Sequence, residues 1–181
     1  MSKAAESYPK RHQNRTPKNC RAFVLAYLLP RQDTGCIFVN ADLIAAGIAP
    51  FQPESVAFRA GRLMLQELAR HGAEGCSFAF ETTLSGRTYA PMIDTWRANG
   101  YTVKLIFRSL ASADEAVARV ANRVRQGGHD IPTETIRRRF ASGLIHFRDT
   151  YRQRVDFWQW FDNSGDTPLL LEEGAHPCVL L

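Results

Sequence analysis

Short apolar segments alternate with longer amphipathic segments along most of this 181-residue chain. Three apolar segments are typical of buried strands, at residues 36–39, 76–81 and 103–107. Four others have the spacing of apolar residues that favours helices, at residues 53–71, 88–99, 113–126 and 135–151. Strands that alternate with helices favour a parallel sheet with helices packed on its faces. The sequence therefore predicts an α/β fold, and it also predicts an edge strand at residues 169–171.

A few local signals place the boundaries of these elements. Ser112 and Glu115 form a capping box, which predicts a helix start at the next residue after Ser112. Pro53 suits the first turn of a helix, and Gly72 is expected to end that helix. The apolar segment 22–29 can be a helix or a strand, because it is too short for periodicity to decide.

Positive charge is concentrated at the amino terminus. Residues 1–21 contain six Lys or Arg residues and one Glu, so they account for the whole net charge of +5. They also lack an apolar stripe, which predicts a disordered basic arm at 1–21 and a single domain at 22–181. Binding of nucleic acid through this arm is the alternative, although the arm lacks the interleaved aromatic residues of an RNA- or DNA-binding module.

Cysteine spacing and apolar run lengths limit the other classes of protein. The four cysteines are widely separated, so no CxxC pair indicates a zinc site or a redox motif, and no metal-binding residues are predicted. The longest apolar run, at residues 22–29, is too short to span a bilayer, and no signal-peptide cleavage site follows it. These features predict a protein of the reducing cytoplasm that does not bind a membrane.

Two predicted strands end in carboxylates. Asp42 follows the strand at 36–39, and Glu81 ends the strand at 76–81. The carboxyl ends of parallel strands lie along one edge of a sheet, where open α/β folds bind ligands. One carboxylate there can act as a general base, and a second can orient the substrate or hold a metal ion through water. The alternative is that each carboxylate caps a helix or lies on the surface.

Arginines are dense after the third predicted strand. They lie on two predicted helices that are joined by the sequence QGGHDIP, at Arg119, Arg123, Arg125, Arg137, Arg138 and Arg139. Guanidinium groups bind phosphate oxygens in a bidentate manner, so two such helices on a glycine-containing connection suit a lid over phosphates. A solvated basic surface is the alternative.

Several motifs together resemble the zeta-toxin-like family of P-loop kinases. These are FVNADLIAAGIAPFQPES, RAGRLMLQEL, SFAFETTLSGRTYAPMIDTWRANGYTVKLIF, RVANRVRQGGHDIP and IRRRF…DNSG. The resemblance implies a P-loop-kinase-like parallel sheet with flanking helices and a helical, arginine-bearing lid. It also implies ATP-dependent phosphoryl transfer with Mg²⁺ to a small molecule, UDP-N-acetylglucosamine in the toxin members, and an antitoxin protein as partner.

The resemblance also assigns site residues. It implies that Asp42 is the catalytic base and that Glu81 and Thr83 bind the substrate. It implies that Arg123 and Arg138 contact phosphate, and Arg119 and Arg139 are the alternatives for these two positions.

The family's phosphate-binding loop has no counterpart in this sequence. The pattern G-x-x-x-x-G-K-[ST] occurs nowhere, the first glycine is Gly35, and Lys18 is the nearest lysine to the expected position. No apolar first strand is recognisable in residues 1–21, and the abrupt boundary suggests a frameshift, a misassigned start or a recombination. The sequence therefore predicts that the first strand and the loop are missing or replaced. The chain is then either an impaired kinase or a non-catalytic small-molecule-binding protein.

Overall fold

The computed structural model describes residues 21–26, 37–128 and 130–176. In this part of the chain, six strands form one sheet with the order β2-β3-β1-β4-β5-β6. The strands are β1 (Arg21–Ala26), β2 (Ile37–Val39), β3 (Phe78–Glu81), β4 (Thr102–Ser109), β5 (Phe157–Asp162) and β6 (Leu169–Ala175). The first five are parallel, and β6 pairs antiparallel with β5 at the edge. The predicted α/β fold with a parallel sheet is confirmed.

Five helices lie between these strands in the described residues. They are α1 (Ala41–Ile48), α2 (Ala57–Glu74), α3 (Ala90–Ala98), α4 (Ala113–Arg125) and α5 (Thr133–His146). A 3₁₀ turn, Pro53–Val56, precedes α2, and a π-helical turn, Phe147–Tyr151, continues α5. None of the helices in the described residues has both the length and the apolar character needed to cross a bilayer.

The first strand of the fold is present, contrary to the sequence prediction. β1 lies at Arg21–Ala26 in the middle of the sheet, hydrogen-bonded to β3 on one side and β4 on the other. A central strand of a parallel sheet is buried on both faces, so it forms a continuous apolar run without the alternation that identifies a half-buried strand. Residues 1–20, which contain most of the predicted basic arm, lie outside the described residues.

Two further elements differ from the prediction. Helix α2 continues past Gly72 to Glu74 and ends at Gly75, whose φ of 70° is left-handed. Gly72 instead makes room for a neighbouring helix, because a Cβ atom there would lie 2.6 Å from Nε1 of Trp96. Strand β5 was not predicted, because no glycine or proline separates its sequence, FWQWFD, from the preceding helical segment.

The core lies on one face of the sheet, beneath α2, α3 and the turn after α5. Trp96 of α3 packs edge-on against Phe78 of β3, with ring centroids 5.0 Å apart. Phe147 stacks on Phe107 of β4 at 4.4 Å. Offset and edge-on aromatic pairs add about 0.5–1.5 kcal/mol to the free energy of area burial. These contacts hold α3 and the end of α5 firmly against the strands.

A buried ion pair fastens the amino ends of β4 and β5. Asp156 is only 3% exposed to solvent. Its carboxylate accepts hydrogen bonds from the Arg97 guanidinium at 2.9 Å and from the Val103 backbone N–H at 2.8 Å. Arg97 also donates to the backbone oxygen of Arg154 at 3.1 Å. The pair therefore fixes the edge of the sheet opposite to the predicted active site.

Candidate active site at the carboxyl edge of the sheet

The structure brings the ends of β2 and β3 together. The two strands are adjacent and parallel, with Val39 paired to Phe80, so the next residues, Asn40 and Glu81, lie side by side. Nδ2 of Asn40 donates a hydrogen bond of 2.7 Å to Oε2 of Glu81. Asp42 follows two residues after Asn40, and it therefore lies at the same edge of the sheet as Glu81.

Asn40 also caps helix α1. Its Oδ1 accepts hydrogen bonds from the backbone N–H groups of Asp42 at 2.7 Å and Leu43 at 3.1 Å. One amide side chain thus links the Glu81 carboxylate to the backbone that carries Asp42. The Asp42 side chain is exposed in the first turn of α1, where the helix dipole favours a negative charge. Sequence reasoning did not identify Asn40 as a site residue, because its link to Glu81 depends on the strand register.

The segment after Glu81 forms a constrained loop. Oγ1 of Thr82 accepts a hydrogen bond from the Leu84 N–H at 3.1 Å, and Oγ1 of Thr83 lies 2.9 Å from Oγ of Ser85. Leu84 is fully buried and has a φ of 51°, a left-handed conformation that is strained for a leucine. The loop can persist in this conformation only because the surrounding structure holds it.

Helix α5 and its π-helical turn provide this support. Nδ1 of His146 donates a hydrogen bond of 2.9 Å to the Leu84 carbonyl, and the Tyr151 hydroxyl donates one of 2.6 Å to the Gly86 carbonyl. Gly143 lies so close to Thr83 that a Cβ atom there would be 2.7 Å from the Thr83 carbonyl oxygen. No local signal in the sequence identifies these supporting residues, because they lie about sixty residues away from the loop they contact.

Burial keeps the supporting tyrosine in its donor form. Desolvation raises the pKa of Tyr151 to about 12. Burial also raises the pKa of Tyr89, which packs against Phe80 with ring centroids 4.9 Å apart. Both phenols are therefore protonated at neutral pH, and the hydrogen bond from Tyr151 to Gly86 is maintained.

Three of the predicted lid arginines have partners within the protein. Nη2 of Arg119 donates to the backbone oxygens of Asn163 at 2.5 Å and Ser164 at 3.0 Å, and it pairs with Glu115 at 3.0 Å. These contacts fasten α4 to the segment that follows β5. Arg125 donates to Oδ1 of Asn122 within α4. Arg137 pairs with Asp114 at 2.5 Å and therefore joins α5 to the start of α4.

The remaining arginines are exposed on the hairpin. Among the described residues, none forms a hydrogen bond or ion pair with the guanidinium groups of Arg123, Arg138 or Arg139. At 3.6 residues per turn, Arg139 lies about 40° around the axis of α5 from Gly143, and Arg138 lies about 140° from it. Gly143 faces Thr83, so helix geometry places Arg139 nearer than Arg138 to the side of α5 that faces the loop.

The sequence that connects β1 and β2 does not contain the P-loop pattern. In P-loop folds this connection contains the phosphate-binding loop and a helix, but here Ala26 ends β1 and Ile37 begins β2, which leaves ten residues. The P-loop pattern alone takes eight residues, and a crossover between parallel strands needs about a dozen or more. Residues 27–36 contain one glycine and no lysine. Lys18 precedes β1, so it is not at the position of the loop lysine, which follows the first strand.

Comparison with known proteins gives a related sequence and several related structures, two of which are described below. No known protein family matches the chain when it is compared with family sequence profiles. An uncharacterised protein of Haemophilus influenzae Rd is 29% identical over 109 residues, which cover 60% of this chain and 78% of that protein.

Two solved structures resemble this chain. A chain from the PezAT chromosomal toxin–antitoxin system of Streptococcus pneumoniae has a TM-score of 0.57 at 12% identity, covering 88% of this chain and 73% of that chain. A protein from Chloroflexus aurantiacus that is provisionally described as a kinase has a TM-score of 0.48 at 14% identity, covering 67% and 76%. The first likeness shows that the two chains share the same α/β fold.

Proposed function

We propose that this chain is a zeta-toxin-like phosphotransferase for a small molecule such as a nucleotide sugar, and that its transfer activity is impaired. The hydrogen bond between Asn40 and Glu81 is the observation that best supports this proposal. It joins the two strand ends that carry the candidate base and the candidate substrate-binding acid. The carboxyl edge of an open α/β sheet is also where such folds bind their ligands.

Each site residue has a role in this proposal. Asp42 is exposed and takes the proton from the acceptor hydroxyl group as that group is phosphorylated. Glu81 at the end of β3 and Thr83 on the fixed loop beneath α5 bind the acceptor. Arg123 and Arg138 contact phosphate oxygens, and Arg139 is the alternative to Arg138 that helix geometry favours.

We expect the transfer activity to be impaired because the phosphate donor, ATP, is bound weakly. A P-loop holds ATP through several backbone N–H groups and one lysine, and each hydrogen bond to a charged group contributes about 1.5–3 kcal/mol. Losing two or three of them costs roughly 3–9 kcal/mol, comparable to the approximately 8 kcal/mol of a micromolar complex. We therefore expect this chain to bind Mg-ATP with a dissociation constant of about 0.1 mM or weaker.

Isothermal titration of the full chain with Mg-ATP tests the donor half of the proposal. The expected result is no saturable heat at micromolar nucleotide. A micromolar dissociation constant that is lost in Arg123→Ala, Arg138→Ala or Arg139→Ala would show that the arginines replace the loop. The proposal of impaired activity would then be wrong, while the kinase assignment would gain support.

Titration with UDP-N-acetylglucosamine tests the acceptor half. We expect Glu81→Gln to weaken binding by about tenfold or more, because a hydrogen bond to a charged group contributes about 1.5–3 kcal/mol. Asp42→Asn should leave binding nearly unchanged, since the base acts on the proton, and Glu54→Gln is a control at an exposed, distant carboxylate. Equal binding by wild type and Glu81→Gln would contradict the proposed acceptor site.

The short connection after β1 also favours a second candidate function. The chain would then be a non-catalytic small-molecule-binding protein on the same fold. Acceptor binding without any transfer of phosphate from ATP, even at high protein concentration, would select this alternative. An antitoxin-like partner is a further part of the proposal, since the PezAT neighbour belongs to a toxin–antitoxin system.

A further inference from the structure

Three possible metal ligands meet at the opposite end of β3 from the candidate active site. An imidazole nitrogen of His71, a carboxylate oxygen of Glu74 and Sγ of Cys76 all lie within 4.8 Å of one another. His71 and Glu74 are three residues apart in the last turn of α2, so they share a face of the helix. Gly75 then adopts its left-handed conformation, and the Cys76 N–H bonds back to the His71 carbonyl at 3.1 Å. This turn brings the thiol back over the helix end.

The histidine side chain provides an independent indication of a ligand. It is only 5% exposed, and its Nδ1 is buried with no hydrogen-bond partner among the described residues. Its other nitrogen, Nε2, lies 3.3 Å from Nη2 of Arg70 and 3.7 Å from Oε2 of Glu67. A buried imidazole nitrogen without a partner destabilises the protein unless something binds it.

We propose that His71, Glu74 and Cys76 form a binding site for Zn²⁺ or a similar borderline-soft divalent cation. Imidazole nitrogen, carboxylate oxygen and thiolate sulfur are all preferred zinc ligands, and three protein ligands leave a fourth position for water. Zinc–ligand bonds of about 2.0–2.3 Å separate tetrahedral ligand atoms by roughly 3.3–3.8 Å. The three atoms must therefore approach by about 1 Å, which the exposed Glu74 side chain can provide.

Formation of the site requires Glu74 to change partners. Arg70 bridges Glu74 at 2.7 Å and Glu67 at 2.6 Å. These side chains are about half exposed, and exposed ion pairs contribute little to stability. The exchange of partners therefore costs little free energy. Arg70 keeps Glu67 as its partner. The Cys76 thiol loses its proton to solvent as the metal–sulfur bond forms, so metal affinity should fall as the pH is lowered.

The consequence of metal binding is a clamp between α2 and β3. Cys76 lies two residues before β3, whereas His71 and Glu74 belong to α2. A bound cation would join the two elements at the amino edge of the sheet, far from Asn40 and Asp42. We therefore expect the metal to raise the thermal stability of the whole chain.

The test is titration of the full chain, stripped with a chelator, with ZnCl₂ alone and separately with CoCl₂. The expected result is one bound ion per chain, thiolate-to-cobalt charge-transfer absorption, and a rise in melting temperature with zinc. Cys76→Ser should abolish the cobalt band and weaken binding by more than about a hundredfold, because loss of a supporting outer group alone weakens metal affinity by about ten- to a hundredfold. Glu74→Gln, at an exposed position, should also weaken binding and provides a second variant that keeps the fold.

Two controls separate this site from other zinc-binding groups. Glu54→Gln removes an exposed carboxylate elsewhere and should leave the affinity unchanged. Replacement of the other three cysteines, Cys20, Cys36 and Cys178, by serine should leave both the affinity and the cobalt band intact. Binding that survives Cys76→Ser, that disappears with the other three cysteines, or that is undetectable in the wild type would overturn the proposal.

Discussion

Replacement of Gly143 by alanine should disturb the loop that carries Thr83. Gly143 is a buried residue of α5, and a Cβ atom there would lie 2.7 Å from the Thr83 carbonyl oxygen. This separation is several tenths of an ångström shorter than an ordinary contact between carbon and oxygen. The neighbour is backbone rather than a flexible side chain, and the loop is already held by His146 and Tyr151. Either α5 or the loop must therefore move.

Two opposing effects set the magnitude of this change. Alanine is a better helix former than glycine, which stabilises a helix interior by about 0.5–1 kcal/mol. Forcing an extra group into a well-packed site costs about 1–3 kcal/mol. Together these effects predict that Gly143→Ala lowers the free energy of unfolding by about 0–2.5 kcal/mol.

Gly61 provides a matched control. It also lies inside a helix, α2, but a Cβ atom added there would meet no neighbouring atom within 4 Å. Gly61→Ala should therefore show the helix-forming gain alone, about 0.5–1 kcal/mol of stabilisation. Urea unfolding of wild type and both variants measures the difference between the two alanines, expected at about 1–3 kcal/mol. Equal stabilisation by both substitutions would refute the close contact between α5 and Thr83.

Two further predictions concern the buried polar groups. Asp156→Ala should lower the free energy of unfolding by about 3 kcal/mol, because it leaves Arg97 without its buried partner. Asp94→Ala is the control, since it removes an exposed ion pair with Arg154. In the same urea experiment it should lower the free energy of unfolding by less than about 1 kcal/mol. Equal costs would contradict this reasoning. The pKa of the Tyr151 phenol is about 10 in the unfolded chain and about 12 in the folded protein. Its contribution to stability is therefore complete below pH 10 and is lost as the pH rises towards 12. Unfolding free energies measured against pH should therefore fall less steeply in this range for Tyr151→Phe, and an unchanged slope would contradict the assigned cause.

Local sequence signals determined most of the fold. The Ser112 hydroxyl accepts a hydrogen bond from the Glu115 N–H at 3.1 Å, and α4 begins where the capping box predicted. The positions of β3 and β4 also followed from short apolar runs. Because parallel strands end at the same edge, the sequence alone was sufficient to bring Asp42 and Glu81 to one side of the sheet. These signals depend on residues within one turn or one strand, so they can be recognised without a structure.

The tertiary structure decided what depends on contacts between distant residues. The apolar run after Arg21 became the central strand because β3 and β4 supply its partners, which its own residues do not reveal. Arg119 was one of the alternatives for a phosphate contact, and its contacts to Asn163 and Ser164 depend on where β5 ends. A side chain's partner across the fold is set by strand register and helix packing, and neither leaves a pattern in the local sequence. The sequence therefore determined the elements and the edge that carries the site, whereas the packing of α5 determined how the loop at that edge is held.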